Sequence, residues 1–138
     1  MKLIAIYKCL CDETRLRILS LLSGSPLCVC HIQRVLGKPQ VIVSQHLAYL
    51  RERGMVAVQR YQNWMIYSLP SSRPPALDAN LKCLQDCIQT EAIFRKDRER
   101  LKKLTGSRDV RALLEEGCCV GSATTEPAKP TRRKRLCK

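Results

Sequence analysis

The residues best suited to chemistry in this sequence are its nine cysteines. Cys28 and Cys30 flank a single valine, and Cys118 and Cys119 are adjacent. Two neighbouring thiolates can bind a soft metal or metalloid ion, or can be oxidised to a disulfide. Because the cysteine count is odd, a complete framework of structural disulfides is disfavoured, and metal or redox chemistry is indicated.

The Cys28-Val29-Cys30 pair is predicted to begin a short helix that covers about Cys28 to Leu36 and ends at Gly37. A helix N-terminus favours a thiolate over a thiol. In a regular helix, residues two apart point about 200° away from each other, so one ion could bind both sulfurs only if the first turn unwinds. Such unwinding would disturb the helix that follows. The alternative is two small buried cysteines that act as apolar filler.

The remaining cysteines are predicted mainly to pack. Cys83 and Cys87 lie four residues apart on one face of a predicted helix, where they could form a site between helices, but a place at the edge of the core is favoured. Cys9 and Cys11 flank the start of another helix, where packing is again favoured. No ligand role is predicted for Cys137.

The stretch from Pro39 to Leu69 carries the clearest structural pattern. Residues 40–53 are predicted to form a helix that stops at Gly54, with an apolar stripe of Val43, Leu47 and Leu50. Two β-prone runs at residues 55–58 and 64–69 follow, separated by a polar segment. The pattern predicts a mainly α fold with a two-stranded β-wing, which is a winged helix-turn-helix.

The outward face of that helix is predicted to contact base edges in a DNA major groove, because it presents Gln40, Val41, Ser44, Gln45 and Ala48. His46 borders the apolar stripe, so a structural role and a DNA contact both remain open. The polar tip of the hairpin is predicted to reach the neighbouring DNA backbone or minor groove through Arg60, Tyr61 and Gln62.

The other elements are assigned from their start and stop signals. Residues 3–10 form a short apolar helix, and Asp12 is the N-cap of a core helix that ends near residues 23–24. A long helix is predicted from Ala76 to Leu104, with a leucine seam that packs on the first helix or on a second subunit. Residues 1–105 are predicted to form the DNA-binding and dimerisation domain, and residues 106–138 a C-terminal extension with a short helix and a disordered basic tail.

Charge and composition narrow the partners. The formal net charge is +13, and only six of the 25 basic residues lie in residues 127–138, so the rest of the chain is basic as well. This balance favours nucleic acid as the partner. The apolar run at residues 3–7 is too short for a signal peptide, and no stretch is apolar enough to span a membrane, so a cytoplasmic protein without a membrane partner is expected. No pattern indicates an enzyme or a catalytic cofactor.

Four segments together resemble the ArsR/SmtB family of metal- and metalloid-responsive repressors: KCLCDETRLRILSLL (8–22), LCVCHI (27–32), SQHLAYLRERGMV (44–56) and IYSL (66–69). The resemblance implies a homodimeric winged helix that binds a palindromic operator on double-stranded DNA. It further implies release by As(III) or Sb(III), with Cys28 and Cys30 as ligands. The arsenic-responsive branch has a third cysteine where this chain has Gln33, so either a third thiolate comes from elsewhere or the site is weaker. Cys118 and Cys119 are the leading donors, since some relatives carry arsenic-binding cysteines near the C-terminus.

Three alternatives are left open by the sequence. A repressor of the same fold could respond to soft divalent metals (Cd, Pb or Zn) or to thiol oxidation instead of arsenic. Zinc sensing is less favoured, because His31 is expected on an exposed helix surface and the chain has only one other histidine. A metal-sequestering protein or an enzyme is the third class, but it needs neither a recognition helix nor a wing.

Overall fold

The computed structural model describes residues 3–106 and residue 112. Its helices and strands follow in the order α1 (Leu3–Leu10), α2 (Glu13–Gly24), β1 (Leu27–Cys28), α3 (Val29–Leu36), α4 (Gln40–Glu52), β2 (Ala57–Tyr61), β3 (Trp64–Ser68), α5 (Pro75–Ile88) and α6 (Ala92–Thr105). The strands form one antiparallel sheet in the order β1-β3-β2. The predicted mainly α winged helix is confirmed, with one strand more than expected. None of the described helices is both long and apolar enough to cross a membrane.

Helix α2 is the centre of the core. Its N-cap is Asp12, whose carboxylate accepts a hydrogen bond from the backbone N–H of Arg15 at 3.0 Å, as predicted. Partial burial raises the pKa of Asp12, but this hydrogen bond and the nearby positive charges outweigh burial and hold the pKa below its ordinary value. The apolar side chains of α2 are buried in one cluster with side chains of the other helices. Seven of its twelve residues are buried, so most of the surface of this helix lies inside the core.

Helices α3 and α4 form the predicted helix-turn-helix pair. Gly37 ends α3 in the left-handed conformation (φ 65°), and its N–H donates to the carbonyl of Gln33. In α4 the predicted stripe of Val43, Leu47 and Leu50 is completely buried. Gly54 follows α4 with φ 72°, which also agrees with its predicted role as a helix stop.

Strand β1 was not expected from the sequence. It has two residues, and its Leu27 and Cys28 pair with Tyr67 and Ile66 of β3. The wing hairpin itself is tight, because β2 and β3 are joined by two residues only, Gln62 and Asn63. A two-residue strand is too short to produce an alternating pattern in the sequence, so only its pairing with β3 identifies it.

The predicted helix from Ala76 to Leu104 is wrong, because the chain bends between α5 and α6. Near the end of α5 the carbonyl of Cys87 accepts hydrogen bonds from the Thr90 hydroxyl (2.8 Å) and from the backbone N–H groups of Thr90 and Glu91. A threonine hydroxyl that bonds a carbonyl three residues earlier competes with continued helix. No glycine or proline marks this break in the sequence.

The bend lets α6 return to the core and join α2. Arg17 of α2 donates two hydrogen bonds to the carboxylate of Asp97 in α6, each 2.8 Å long, and both side chains are buried. The hydrogen bonds to Asp97 raise the pKa of Arg17, which keeps the guanidinium group positively charged although it is buried. The leucine seam of α5 packs within the same chain, since Leu77 and Leu81 belong to the buried cluster around α2.

Candidate metal centre and nucleic-acid interface

The two sulfurs of Cys28 and Cys30 meet at the junction between β1 and α3. Cys28 is the extended N-cap of α3, while Cys30 is already helical. Because the helix begins between them, their Cα atoms are 5.5 Å apart and their sulfur atoms are joined as a disulfide. The expectation that both residues lie in a helix and point apart is therefore wrong. No turn has to unwind before the two sulfurs can bind one ion.

His31 completes a cluster of three potential donors. One donor atom each from Cys28, Cys30 and His31 lies within 4.8 Å of the others, and the Nδ1 atom of His31 is 3.2 Å from Cys28 Sγ. Within residues 3–106 and residue 112, this is the only group of three or more His, Cys, Asp or Glu side chains close enough to hold a metal ion. Two sulfurs and one imidazole nitrogen suit a soft or borderline ion.

The expectation of an exposed His31 is wrong. Its side chain is completely buried, because Cys28 as N-cap and His31 three residues later share one side of the first turn of α3. Burial lowers the pKa of His31 from 6.5 to about 4, with a smaller contribution from the positive charge of Arg34. The imidazole is therefore neutral at pH 7 and retains a lone pair.

The donor cluster packs against the wing. Cys28 and Ile66 are both buried against each other, and the partly buried side chains of Cys30, Tyr61 and Trp64 pack around them. Two of these wing residues lie on β3 and one ends β2, so the site lies between α3 and the hairpin. A change in the position of the two sulfurs would therefore act directly on the side chains of the wing.

The remaining cysteines differ from their predicted environments in part. Cys9 is buried as expected, and burial raises the pKa of its thiol although Arg53 and Arg15 oppose this shift. Cys11 is exposed, so the prediction that it also packs is wrong. Cys83 and Cys87 are exposed on α5, so their predicted place at the edge of the core is wrong. The predicted ligands Cys118 and Cys119, and with them Cys137 and the basic tail, lie outside the described residues.

The predicted DNA-contacting face of α4 is largely exposed. Val41 and Gln45 are exposed, and Gln40 and Ala48 are half-buried. Ser44 is an exception, since it is only 2% exposed and faces the core beside Val43. The prediction that Ser44 faces outward is wrong. A small hydroxyl is compatible with either face of a helix, so residue type did not reveal its direction.

The flank of α4 is fixed by charged groups. His46 is half-buried, and its Nδ1 atom lies 4.0 Å from a carboxylate oxygen of Asp12 at the start of α2. Nearby, the guanidinium groups of Arg53 and Arg15 lie over the ring of Tyr49, at 3.5 and 4.3 Å from its centroid. His46 thus has a structural contact, and its outer edge is still accessible.

The tip of the wing is polar and exposed. Arg60 and Gln62 are exposed, and Tyr61 is half-buried against the donor cluster. Arg60 donates to the carbonyl of Gln62 at 2.9 Å, which orders the turn where Gln62 has a positive φ of 53°. The hairpin can therefore present a guanidinium to a phosphate while Tyr61 connects it to the interior.

Sequence reasoning missed two features of this site, the short β1 strand and the burial of His31. The second had a signal, because the spacing of three residues between Cys28 and His31 places both on one side of a helix start. The first had none, since pairing with β3 depends on a segment 38 to 40 residues later in the chain.

Comparison with known proteins agrees with this architecture. The family model described as "Bacterial regulatory protein, arsR family" matches residues 12–58. The arsenic resistance transcriptional regulator ArsR1 of Pseudomonas putida is 39% identical over 85 residues, which is 61% of this chain and 66% of that protein. The arsenical resistance operon repressor of Escherichia coli is 37% identical over 91 residues, which is 62% of this chain and 78% of that protein.

Solved structures of HlyU are also similar to this chain. HlyU from Vibrio cholerae has a TM-score of 0.55 and 30% identity, with 60% of this chain and 87% of that one covered. A structure described as reduced HlyU from the same organism also has a TM-score of 0.55. The helix-turn-helix, the wing and the similarity to transcription regulators all indicate a regulator of transcription and not an enzyme. The chain belongs to the arsR family of bacterial regulatory proteins and is a DNA-binding transcription regulator.

Proposed function

We propose that this protein is a repressor that leaves its operator when As(III) or Sb(III) binds the thiolates of Cys28 and Cys30. The observation that carries the proposal is the meeting of these two sulfurs at the start of α3, beside the wing. Trivalent arsenic is thiophilic, and the names of the curated relatives point to arsenic as the signal in those proteins.

Release follows from the position of the thiolates. Cys28 pairs through its backbone with Ile66 of the wing, and α3 packs directly on α4. An ion that holds both sulfurs at bonding distance shifts β1 and the first turn of α3 together. The wing and the recognition helix then lose the relative position that fits DNA. Coupling between inducer and DNA of roughly 1–3 kcal/mol would weaken DNA binding about 5- to 150-fold.

The DNA contacts proposed for α4 are Gln40, Val41, Gln45 and His46, and those of the wing are Arg60, Tyr61 and Gln62. Replacement of Gln45 by Ala should cost about 1–3 kcal/mol of specific binding if its amide reads a base edge. Arg60→Ala should weaken binding similarly on every sequence and reduce the salt dependence, because a phosphate contact carries no base information. Equal losses on operator and unrelated DNA for Gln45→Ala would remove it from the base-reading set.

Homodimerisation on a palindromic operator is part of the proposal. Helix α1 supports it, because Leu3, Ile4 and Tyr7 are 50–71% exposed on an otherwise well-packed fold. A two-fold symmetric protein matches two half-sites on one face of DNA. Residues 1–105 would supply this unit, and residues 106–138 an extension whose basic tail adds salt-dependent, nonspecific affinity for DNA.

The test is fluorescence anisotropy with promoter DNA from its own gene and reduced protein, titrated with arsenite. Release by arsenite is expected in wild type, and Cys28→Ser and Cys30→Ser should bind DNA normally but resist release. Cys11→Ser is the matched control, since Cys11 is an exposed cysteine outside the cluster. If both serine variants release like wild type and Cys118→Ser/Cys119→Ser does not, the C-terminal pair is the sensor instead.

Thiol oxidation is the second candidate signal. It is supported by the disulfide between Cys28 and Cys30 and by the similarity to the structure described as reduced HlyU. In this reaction a peroxide takes two electrons and two protons from the two thiols, which become a disulfide while hydrogen peroxide becomes two waters. Release by peroxide without any response to arsenite would favour this signal over arsenic.

A further inference from the structure

The cluster at the start of α3 contains a donor that the arsenic proposal does not use. His31 is completely buried, yet its Nδ1 atom is 3.2 Å from Cys28 Sγ, and Cys30 completes the group within 4.8 Å. The ring of a histidine carries two polar nitrogens, and in His31 one of them lies directly beside a sulfur.

We propose that His31 is the third donor of this centre, so that Cys28, Cys30 and His31 together bind a thiophilic divalent cation such as Cd²⁺ or Zn²⁺. The inference deepens the proposed function, because it concerns the same two thiolates and rests on them as ligands. It adds a ligand and a class of ion. The fourth position of a tetrahedral ion would go to an exogenous ligand such as water.

The distances fit a tetrahedral ion. Zinc binds cysteine sulfur at about 2.3 Å and histidine nitrogen at about 2.0–2.1 Å, so a sulfur and a nitrogen on one tetrahedron are separated by roughly 3.6 Å. The observed Nδ1–Sγ separation of 3.2 Å is close to this value. Reduction of the disulfide frees both sulfurs as donors, and a small change of their side-chain torsions opens space for the ion.

The charge balance favours a divalent ion. Two thiolates carry two negative charges, and the neutral imidazole adds none, so a divalent cation leaves the buried centre neutral. Trivalent arsenic instead prefers a third thiolate, and the three-donor cluster contains only two cysteines. Imidazole suits zinc-like ions better than it suits arsenic.

The backbone already holds the three donors in place. Cys28 is fixed by its pairing with Ile66, and its side chain makes no capping hydrogen bond to the helix. His31 is held in the first turn of α3, three residues later. Ile66 and Trp64 pack against the cysteines on the wing side, and this apolar contact limits how much solvent surrounds the thiolates and strengthens ion binding.

Co²⁺ binding to the full-length reduced protein provides the first test, because its visible absorption reports the number of thiolate and imidazole donors. Wild type should give the bands of a two-sulfur tetrahedral site. His31→Asn should alter these bands and weaken Cd²⁺ binding by more than the 10- to 100-fold that loss of an outer-shell partner costs. His46→Asn is the matched control for metal binding alone, since it replaces the chain's only other histidine, and it should bind Cd²⁺ with wild-type affinity. Unchanged Cd²⁺ affinity in His31→Asn overturns the proposal.

A second measurement avoids dependence on the folding of a core variant. In wild-type protein with ¹⁵N-labelled histidine, bound ¹¹³Cd should couple to a ring nitrogen of His31 and leave His46 unperturbed. Absence of coupling at saturating ¹¹³Cd overturns the proposal. The same titration can be followed by fluorescence, since Trp64 is the only tryptophan of the chain and packs against the cluster.

The two proposals can fail separately. If Cys28→Ser abolishes arsenite release but His31→Asn binds Cd²⁺ normally, the arsenic sensor stands and the third donor is refuted. If ¹¹³Cd couples to His31 but arsenite never releases DNA, the three-donor centre stands and the proposed inducer is refuted.

Discussion

Two junctions between elements, at residues 27–31 and at residues 87–92, make an instructive comparison. Each lies next to a pair of cysteines, and at each the observed boundary differs from the predicted one. At the first, the helix begins between Cys28 and Cys30, and their sulfurs meet in a buried cluster with His31. At the second, Cys83 and Cys87 precede the bend and stay exposed.

The difference shows that sequence spacing alone does not decide which thiols form a site. Cys83 and Cys87 have the better spacing for one helix face. Desolvation raises the pKa of the Cys87 thiol, and the neighbouring Cys83 raises it further. Cys28 and Cys30 have the worse spacing but lie where strand becomes helix. At that junction, the pairing of Cys28 with the wing and the burial of His31 bring a third donor next to the two sulfurs. The structure therefore favours the first junction as the chemical one.

The largest expected effect concerns the second junction, through the ion pair that holds α6 after the bend. Asp97→Ala leaves the buried guanidinium of Arg17 without its main partner, and should lower the free energy of unfolding by about 3–5 kcal/mol. Urea unfolding measures this. Asp78→Ala is the control, because its pairs with Arg73 and Lys82 lie at the surface, where solvent screens them, and their loss should cost much less stability.

The double replacement Arg17→Met/Asp97→Leu sharpens this prediction. It should recover most of the stability lost in Asp97→Ala, since an apolar pair avoids an unpaired buried charge. If Asp97→Ala and Asp78→Ala cost the same, the buried pair does not hold α6. In either case arsenic binding at the first junction should be unchanged per folded molecule.

The next effect is the pH dependence of stability at the first junction. His31 has a pKa lowered by burial from 6.5 to about 4, so below pH 6.5 the unfolded chain binds a proton that the folded protein does not. Stability is therefore complete above pH 6.5 and falls toward pH 4, by roughly 3 kcal/mol in total. The measurement is urea unfolding of the metal-free protein at a series of pH values.

His31→Asn should remove this loss of stability between pH 6.5 and pH 4, and His46→Asn should keep it. The lowered pKa of Asp12 causes its own loss of stability as the pH falls below about 5, but wild type and His31→Asn both contain Asp12, so this loss cancels between them. Parallel pH profiles for wild type and His31→Asn would show that His31 is not buried in the folded protein.

The smallest effect tests the bend itself. Thr90→Val removes the hydroxyl that bonds the carbonyl of Cys87 but keeps the shape of the side chain, and should cost about 0.5–1.5 kcal/mol. Thr90→Ser keeps the hydroxyl and should lose much less. A rise in melting temperature for Thr90→Val would indicate that this hydrogen bond does not define the break.

Much of the fold was predictable because its signals are local. Asp12 as N-cap, Gly37 and Gly54 after their helices, and the stripe of Val43 and Leu47 all act through neighbours within one or two turns. The long helix was wrongly predicted across Thr90, because its apolar pattern continues and no glycine or proline marks the break. The outward face of α4 was predicted except for Ser44, whose size and polarity suit core and surface alike.

The sequence by itself determined the winged helix, the recognition helix and the importance of Cys28 and Cys30, because periodicity, caps and turn residues act over short distances. Only the tertiary structure decided that the two sulfurs meet without unwinding a helix, that His31 is buried beside them, and that the cluster packs on the wing. These features depend on the pairing of Cys28 with Ile66, two residues 38 positions apart, and a contact between distant segments leaves no periodic signal in either one.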